Sequence, residues 1–320
     1  MHWIMNIHDY TPPPWLIIEP RIAAALANFE PVVALESTVI THGLPRPANL
    51  EVARRMESEI QGAGAVPATV GIYQGKVHLG LPADILEPLA LSTDAQKVSR
   101  RDLSLAAAHG LHGGTTVSAT MFIAQAAGVR VFATGGIGGV HRGDRGDVST
   151  DLSELARTPI AVVCSGAKAI LDLSRTLEWL ETAGVPVLGW KADEFPAFFS
   201  TGSGLPVSAK VESAKEAAAI LNSQIQMGLQ NGVLICVPCP EKSAVPWERV
   251  ERALVEAEQE AVDEGVHGNR LTPFLLERIS MKTGGATFRA NVALLKQNAR
   301  IAAEIAIALA PYLRKLQPGS

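Results

Sequence analysis

Short runs of β-branched residues alternate with longer stretches of helical periodicity along most of this chain, and that alternation restricts its fold more than any other feature. Candidate strands fall at residues 32–35, 68–73, 129–134, 160–164, 185–189 and 233–237, and helical patterns at 50–61, 117–126, 169–182, 214–228 and 248–264. Strands separated by helices need crossover connections, which make neighbouring strands parallel and lay helices on both faces of the sheet. The expected fold class is therefore α/β, with three α/β/α layers around a mainly parallel central sheet. Several helical patterns close on a glycine, where a left-handed C-cap is wanted. Tyr73-Gln74-Gly75-Lys76-Val77 reads as a hairpin turn, so the sheet should carry an antiparallel pair and be mixed at one edge.

No repeat, low-complexity tract or Ser/Gly-rich linker divides the chain, so residues 13–320 read as a single domain behind a flexible tail at residues 1–12. The run 291–316 is rich in Ala, Ile and Leu and predicts a long helix packed on the body or on a neighbouring subunit. Hydrophobic residues are 47% and charged residues 19% of the 320, enough for a large core and unlike a disordered chain. Against 32 acidic residues stand 28 basic ones, so no positive excess is available to neutralise nucleic acid. Charges such as Glu304 interrupt every apolar stretch before it reaches a membrane span, and no basic segment followed by an apolar block opens the chain. Cys164, Cys236 and Cys239 are too few for a disulfide framework, and together these readings place the chain in the cytoplasm.

Four polar clusters fall where strands end, the position at which open α/β sheets assemble their sites. The first is Glu36-Ser37-Thr38 with Thr41-His42-Gly43; a carboxylate directly after an apolar strand suits proton transfer, and equally suits a turn or cap. The second is Lys97-Val98-Ser99-Arg100-Arg101, whose three cations suit a phosphate monoester or form a solvated surface. The third joins Gly113-Gly114-Thr115-Thr116-Val117 to the glycine-rich run 134–143, where backbone N–H groups could approach an anion or merely turn the chain. Neither stretch is a Walker A sequence or a dinucleotide fingerprint, so a small phosphorylated ligand fits better than a nucleotide cofactor.

The fourth cluster runs from Asp144 through Asp147, Ser149 and Asp151 to Lys168. Its carboxylates suit a hard divalent ion that keeps several waters, or an N-cap for the helical residues 153–157. Lys168 follows a Ser165-Gly166-Ala167 turn and should begin an apolar helix; near other cations its amine could lose its proton and attack a carbonyl carbon. Cys236-Val237-Pro238-Cys239 has redox spacing but ends a strand without a following helix, and the eight histidines lack zinc spacing.

Seven motifs in order resemble the pseudouridine-5'-phosphate glycosidase family. They are Val33-Ala34-Leu35-Glu36-Ser37-Thr38, Gly64-Ala65-Val66-Pro67-Ala68-Thr69, Ser99-Arg100-Arg101-Asp102-Leu103, the run 134–143, Ser165-Gly166-Ala167-Lys168, Asp193-Glu194-Phe195-Pro196-Ala197-Phe198 and Leu271-Thr272-Pro273-Phe274-Leu275-Leu276. The resemblance implies a manganese-dependent homotrimer that reversibly cleaves pseudouridine 5'-phosphate to uracil and ribose 5-phosphate. It implies Glu36 as proton donor, Lys168 as covalent nucleophile, and Lys97, Thr116, Val117 and the tripeptide Ser149, Thr150, Asp151 as substrate-binding residues. His141 and Asn291 join them by motif context, and Asp147 takes the place of the metal-ligating aspartate. The stretch between Arg142 and Asp147 is shorter than the family pattern and contains Asp144, which leaves the metal assignment, Mn²⁺ or another divalent ion, open between the two acids.

A carbon–carbon glycosidic bond has no electronegative leaving atom, so protonating the base does not release it. The expected route is an imine between Lys168 and ring-opened ribose, with Glu36 moving protons. A Schiff-base sugar-phosphate aldolase would share Lys168 and the phosphate loops, and a non-catalytic metabolite-binding homologue would share the fold.

Overall fold

The computed structural model describes residues 12–143 and 146–315. Among them the strands are β1 (Leu16–Ile18), β2 (Val32–Leu35), β3 (Val66–Tyr73), β4 (Lys76–Leu79), β5 (Gln96–Val98), β6 (Gly113–Thr115), β7 (Val131–Ala133), β8 (Val140–His141), β9 (Ala161–Cys164), β10 (Leu171–Asp172), β11 (Val187–Trp190), β12 (Ala209–Val211) and β13 (Val233–Cys236). The helices are α1 (Pro20–Ala27), α2 (Ala48–Ala63), α3 (Ala83–Leu91), α4 (Leu103–Ala108), α5 (Val117–Ala126), α6 (Thr150–Leu155), α7 (Leu173–Thr182), α8 (Ala214–Met227), α9 (Trp247–Asp263), α10 (Leu271–Lys282) and α11 (Ala286–Lys315).

The main sheet runs β1-β4-β3-β2-β7-β9-β13-β11-β12, with β6 on β3 and β5 on β6. Every pair from β3 through β2 to β12 is parallel; β3 pairs antiparallel with both β4 and β6, so the sheet is mixed at one end as expected. The β3–β4 hairpin closes on Tyr73 opposite Lys76, with Gln74 at φ 50° and Gly75 at φ 72°. Two consecutive left-handed residues match the twist of the flanking strands, which is why Gln-Gly marks the turn.

Helices on both faces bury the central strands β2, β7, β9, β11 and β13 completely, and strand residues alternate between two apolar clusters. Val33, Leu35, Val131, Ala133, Val163 and Ile235 pack with Met56, Ile60, Leu221, Leu294 and Ile305 of α2, α8 and α11. Ala34, Phe132, Val162, Cys164 and Leu234 face the other way, toward Met121 and Ile123 of α5, Leu180 of α7 and Leu254 of α9. This period of two assigns the layers. The long C-terminal helix α11 packs on the body of its own chain, across β2, β7 and β9 and between α2 and α8. No described helix is long and apolar enough to cross a membrane.

One expected helix begins late. Residues 169–172 do not continue a helix from Lys168: Leu171 and Asp172 pair antiparallel with His141 and Val140, and α7 starts only at Leu173. The Asp172 carboxylate accepts from Arg175 N at 3.0 Å, making it the N-cap that sets this boundary. The turn Ser165–Lys168 is thereby freed from helical geometry.

A buried carboxylate ties two site-bearing segments together. Glu154 of α6 is fully buried and accepts from Arg100 Nη1 at 2.6 Å, just beyond β5, and from Arg157 Nη2 at 3.0 Å. Glu154→Ala removes an acceptor from three donors, Thr158 included, and leaves a cavity. It should cost about 3 kcal/mol, read as a lower denaturant midpoint with unchanged slope.

Candidate active site

The carboxyl ends of the adjacent strands β2, β7 and β9 deliver Glu36, the glycine-rich loop after Thr134 and the Ser165–Lys168 turn to one place. Backbone bonds join the two loops: Ile137 N donates to Gly166 O at 3.0 Å and Lys168 N to Ile137 O at 3.1 Å. Side-chain-free positions permit this approach. A Cβ on Gly136 would lie 2.7 Å from the Phe198 ring, and one on Gly166, at φ +80°, would lie 2.4 Å from Pro196 O. From α11, Asn298 Nδ2 donates to Thr134 O at 2.9 Å and to Ser165 Oγ at 3.1 Å, fixing both loops to the helix.

The result is a cleft of about 520 Å³, open mouth included, lined by Glu36, Lys97, Lys168 and Asn291 together with Thr38, Val39, His42, Gly43, Gly135, Gly136, Phe198, Thr272, Pro273 and Leu276. Glu36, only 5% exposed, accepts a hydrogen bond from the Thr134 hydroxyl. Burial pushes its carboxyl above the usual carboxylate range; Lys168, the Thr134 bond and Lys97 oppose that shift, and Asp151 adds to it. Burial and the Lys168 cation together hold Lys97 below the usual lysine range, against the pull of Asp151 and Glu36. Glu36 and Lys97 thus respond to each other, and to Lys168 and Asp151, through a shared field.

Of the three cations in the Lys97 cluster only Lys97 faces the cleft. Arg100 pairs with Glu154 and lies over the Phe122 ring, 4.4 Å from its centre, while Arg101 is exposed beside Asp102. Asp151 lies beside the cleft, its two carboxylate oxygens accepting from Ser118 N at 3.0 Å and Gly138 N at 2.8 Å. Ser149 caps α6, its Oγ accepting from Asp151 N at 3.2 Å, so the cap is this hydroxyl and not a carboxylate, and the helix begins at Thr150, ahead of the expected 153–157. Thr116 and Thr150 each meet the Ser118 hydroxyl at 3.1 Å. Val117 is 1% exposed and part of the core, so only its backbone can reach a ligand. Gly138 seals this second group: a Cβ there would meet Ser149 Oγ at 2.2 Å and Asp151 Oδ2 at 2.9 Å. Gly138→Ala should move Asp151 and lower kcat/KM about 10²-fold, with a far smaller effect on the unfolding midpoint.

His141 and Asp147 are not among the residues lining the cleft. His141 N donates to Asp147 O at 2.9 Å, and its Nε2 stands 3.9 Å from Asp147 Oδ2, a carboxylate 64% exposed. Asp144 lies outside the described residues, as do residues 1–11 of the expected tail. No group of three His, Cys, Asp or Glu side chains converges on a metal-sized position among the described residues. The donors present, one solvated carboxylate with an imidazole nearby, fit a hard divalent ion that keeps most of its waters and do not fit a closed protein cage.

Sequence reasoning named no role for His42, Phe198, Thr272, Pro273 or Leu276, which line the cleft. The last four lie in motifs that carry the family resemblance, and Phe198 has a left-handed backbone, φ 61°, that no composition rule would single out. The three cysteines are free and buried. Burial pushes the Cys239 thiol up to about 12, and burial followed by Cys164 raises Cys236, so neither is poised as a thiolate.

Comparisons with known proteins find relatives of similar sequence and fold. The family model described as indigoidine synthase A like protein matches residues 21–308. A pseudouridine-5'-phosphate glycosidase of Methylobacterium nodulans is 49% identical over 300 residues, covering 93% of this chain and 89% of the relative. Another, from Caldanaerobacter subterraneus subsp. tengcongensis, is 50% identical over 294 residues, covering 91% and 96%. Among solved structures, the prealnumycin C-glycosynthase AlnA in complex with ribulose 5-phosphate superposes with a TM-score of 0.88 at 40% identity, covering 95% of this chain and 100% of that one. An indigoidine synthase A-like protein of Thermotoga maritima gives 0.85 at 39% identity, covering 93% and 98%.

Proposed function

Because the chain belongs to the indigoidine synthase A-like family and matches pseudouridine-5'-phosphate glycosidases at about half of its positions, we propose that it reversibly cleaves the C–C glycosidic bond of pseudouridine 5'-phosphate, releasing uracil and ribose 5-phosphate. The observation that carries this reading is the meeting of a buried, proton-retaining carboxyl, Glu36, with two amines, Lys97 and Lys168, in one cleft.

The chemistry asks for that combination. Once the ribose ring opens, the neutral amine of Lys168 bonds to C1'; its lone pair then forms C=N as the C1'–C5 bond breaks and C5 takes a proton. Water hydrolyses the imine and ribose 5-phosphate leaves. Glu36 is the proton donor, and its raised pKa keeps the carboxyl loaded at pH values where an exposed glutamate is ionised. Lys97, held below the usual lysine range by burial and by Lys168, supplies an N–H donor for the phosphate, and Lys168 supplies the nucleophile. Thr116, Val117, Ser149, Thr150 and Asp151, at the N-termini of α5 and α6 beside the cleft, would bind the rest of the substrate, Val117 through its backbone, and Asn291 would offer an amide to the uracil edge.

In this proposal Asp147, with His141 beside it, would hold Mn²⁺ through a single carboxylate, and the ion would neutralise substrate negative charge. The homotrimer, which rests on the resemblance, and the cytoplasmic setting, which rests on the cysteine and hydropathy pattern, belong to the same proposal. That the C-glycosynthase neighbour binds ribulose 5-phosphate supports a pentose phosphate as the sugar half of the substrate.

Incubating the purified protein with pseudouridine 5'-phosphate and Mn²⁺ should release free uracil, and ribose 5-phosphate with uracil should regenerate the C-nucleotide. Absence of both reactions would overturn the reading. Sugar-phosphate condensation that needs no uracil would instead indicate an aldolase.

A further inference from the structure

His42 lines the cleft, and the reaction as written gives it no task. It lies in the π-helical turn Val39–Gly43 that follows Glu36. Its Nδ1 stands 2.7 Å from the Thr41 hydroxyl oxygen, and that hydroxyl donates to the Ser37 carbonyl at 3.2 Å. A hydroxyl has one proton: when it goes to Ser37, the 2.7 Å contact is a donation from Nδ1–H, and when it goes to Nδ1, the ring proton sits on Nε2 instead. Only the first arrangement leaves Nε2 with the lone pair that a base needs.

The surroundings keep the ring neutral. Burial, then the charges of Lys97 and Arg46, hold the imidazole below the usual histidine range. The other elements packed on this turn meet it with uncharged groups: α10 with Thr272, Pro273 and Leu276, α3 with Leu86, Leu89 and Ala90 against Ile40, β6 with glycines and Thr115, and α2 with Asn49, whose amide donates to Ile40 O at 2.7 Å. Arg46 itself is turned away, its Nε donating to Ala90 O at 3.2 Å.

We propose that His42 is the proton acceptor of the cleft, its Nε2 removing a ring N–H proton from the uracil of a bound C-nucleotide while Glu36 protonates the ribose ring oxygen. This rests on the glycosidase reading and adds a step to it. A uracil linked through C5 has N1–H free. When His42 takes that proton, the N1 electron pair moves through the ring to form a C5=C1' double bond. The C1'–O4' bond breaks, and O4' receives the Glu36 proton. C1' is then the carbon to which the neutral Lys168 amine adds. The ring electrons return to N1, which recovers its proton from His42, and the new ammonium gives a proton to Glu36. Glu36 next protonates C5 as the amine lone pair forms C=N and the C1'–C5 pair remains with the uracil. Water hydrolyses the iminium, the proton released returns to Glu36, and no oxidant or reductant enters. The opposed tuning of two groups in one site, an acid kept protonated and a base kept neutral, is what such a relay requires.

Two measurements test it. ¹⁵N NMR of histidine-labelled wild-type protein should show His42 neutral at pH 7 with the proton on Nδ1; a proton on Nε2 would overturn the proposal without reference to turnover. The second is a kinetic cycle of wild type and His42→Asn, each with pseudouridine 5'-phosphate and its N1-methyl analogue, which lacks the proton in question. His42→Asn should slow the natural substrate about 10²-fold and the wild type should lose a similar factor on the analogue, with the variant treating both alike. Equal losses on both substrates, an additive cycle, would refute the assignment. His42→Gln repeats the cycle if the asparagine variant misfolds. A wild type that releases no uracil fails the glycosidase reading and this step with it; an active wild type with an additive cycle fails only the step.

Discussion

Lys168→Ala is expected to abolish turnover, a fall of at least ~10⁴-fold in kcat, because in the proposed reaction it removes the amine that bonds to C1'. Binding should survive. The variant leaves Lys97, Asp151 and the helix N-termini in place, so calorimetry with ribose 5-phosphate should still show a complex. Borohydride treatment of the wild type with ribose 5-phosphate, read by intact mass, should add one reduced sugar phosphate, and the variant should gain none. An adduct on the variant would move the nucleophile to Lys97, the other amine of the cleft. No adduct on the wild type would remove the imine altogether.

Glu36→Gln should be equally inactive for a different reason and should separate catalysis from stability. Glutamine is nearly isosteric with the protonated acid and can still accept from the Thr134 hydroxyl, but it has no proton to give at neutral pH. The pH dependence follows from the direction of the shift. Burial raises the folded-state pKa of Glu36 above the ordinary 4.5, so the folded protein binds this proton more tightly than the unfolded chain does. The associated stability is present below the unfolded value and is lost as pH rises through the folded one. The variant has no such loss. Its unfolding midpoint relative to wild type should therefore climb with pH from about 4.5 upward. A difference that stays flat across that range would show that Glu36 is not held in its protonated form.

The parts of this architecture that were legible beforehand are those governed by short-range periodicity. The strand at Val32–Leu35 and the helix at Val117–Ala126 match their expected bounds, and the Gln-Gly hairpin predicted the antiparallel end of the sheet. The helix expected from residue 169 starts at Leu173 because Ala169 to Asp172 are apolar enough to continue a pattern, while a cap at Asp172 and pairing with β8 decide otherwise. The strand β1, which extends the sheet beyond β4, carried no signal, since three residues are too few to show a period.

The site divides in the same way. Glu36, Lys97 and Lys168 were recognisable as a carboxylate and two amines at strand ends, and motif order linked them although they span 132 residues of chain. His42 was visible beside Glu36 as a residue, but its use depends on which way a hydroxyl and an imidazole share one proton. What the chain alone determined is the layer pattern and the chemical types available, because both follow from side-chain identity and spacing. Only the tertiary structure decided that Glu36 is buried beside two amines, that one arginine of the basic cluster belongs to Glu154, and that Asp147 stands apart in solvent. Burial and electrostatic neighbourhood are set by residues far away in the chain, and they determine whether a carboxyl or an amine carries its proton.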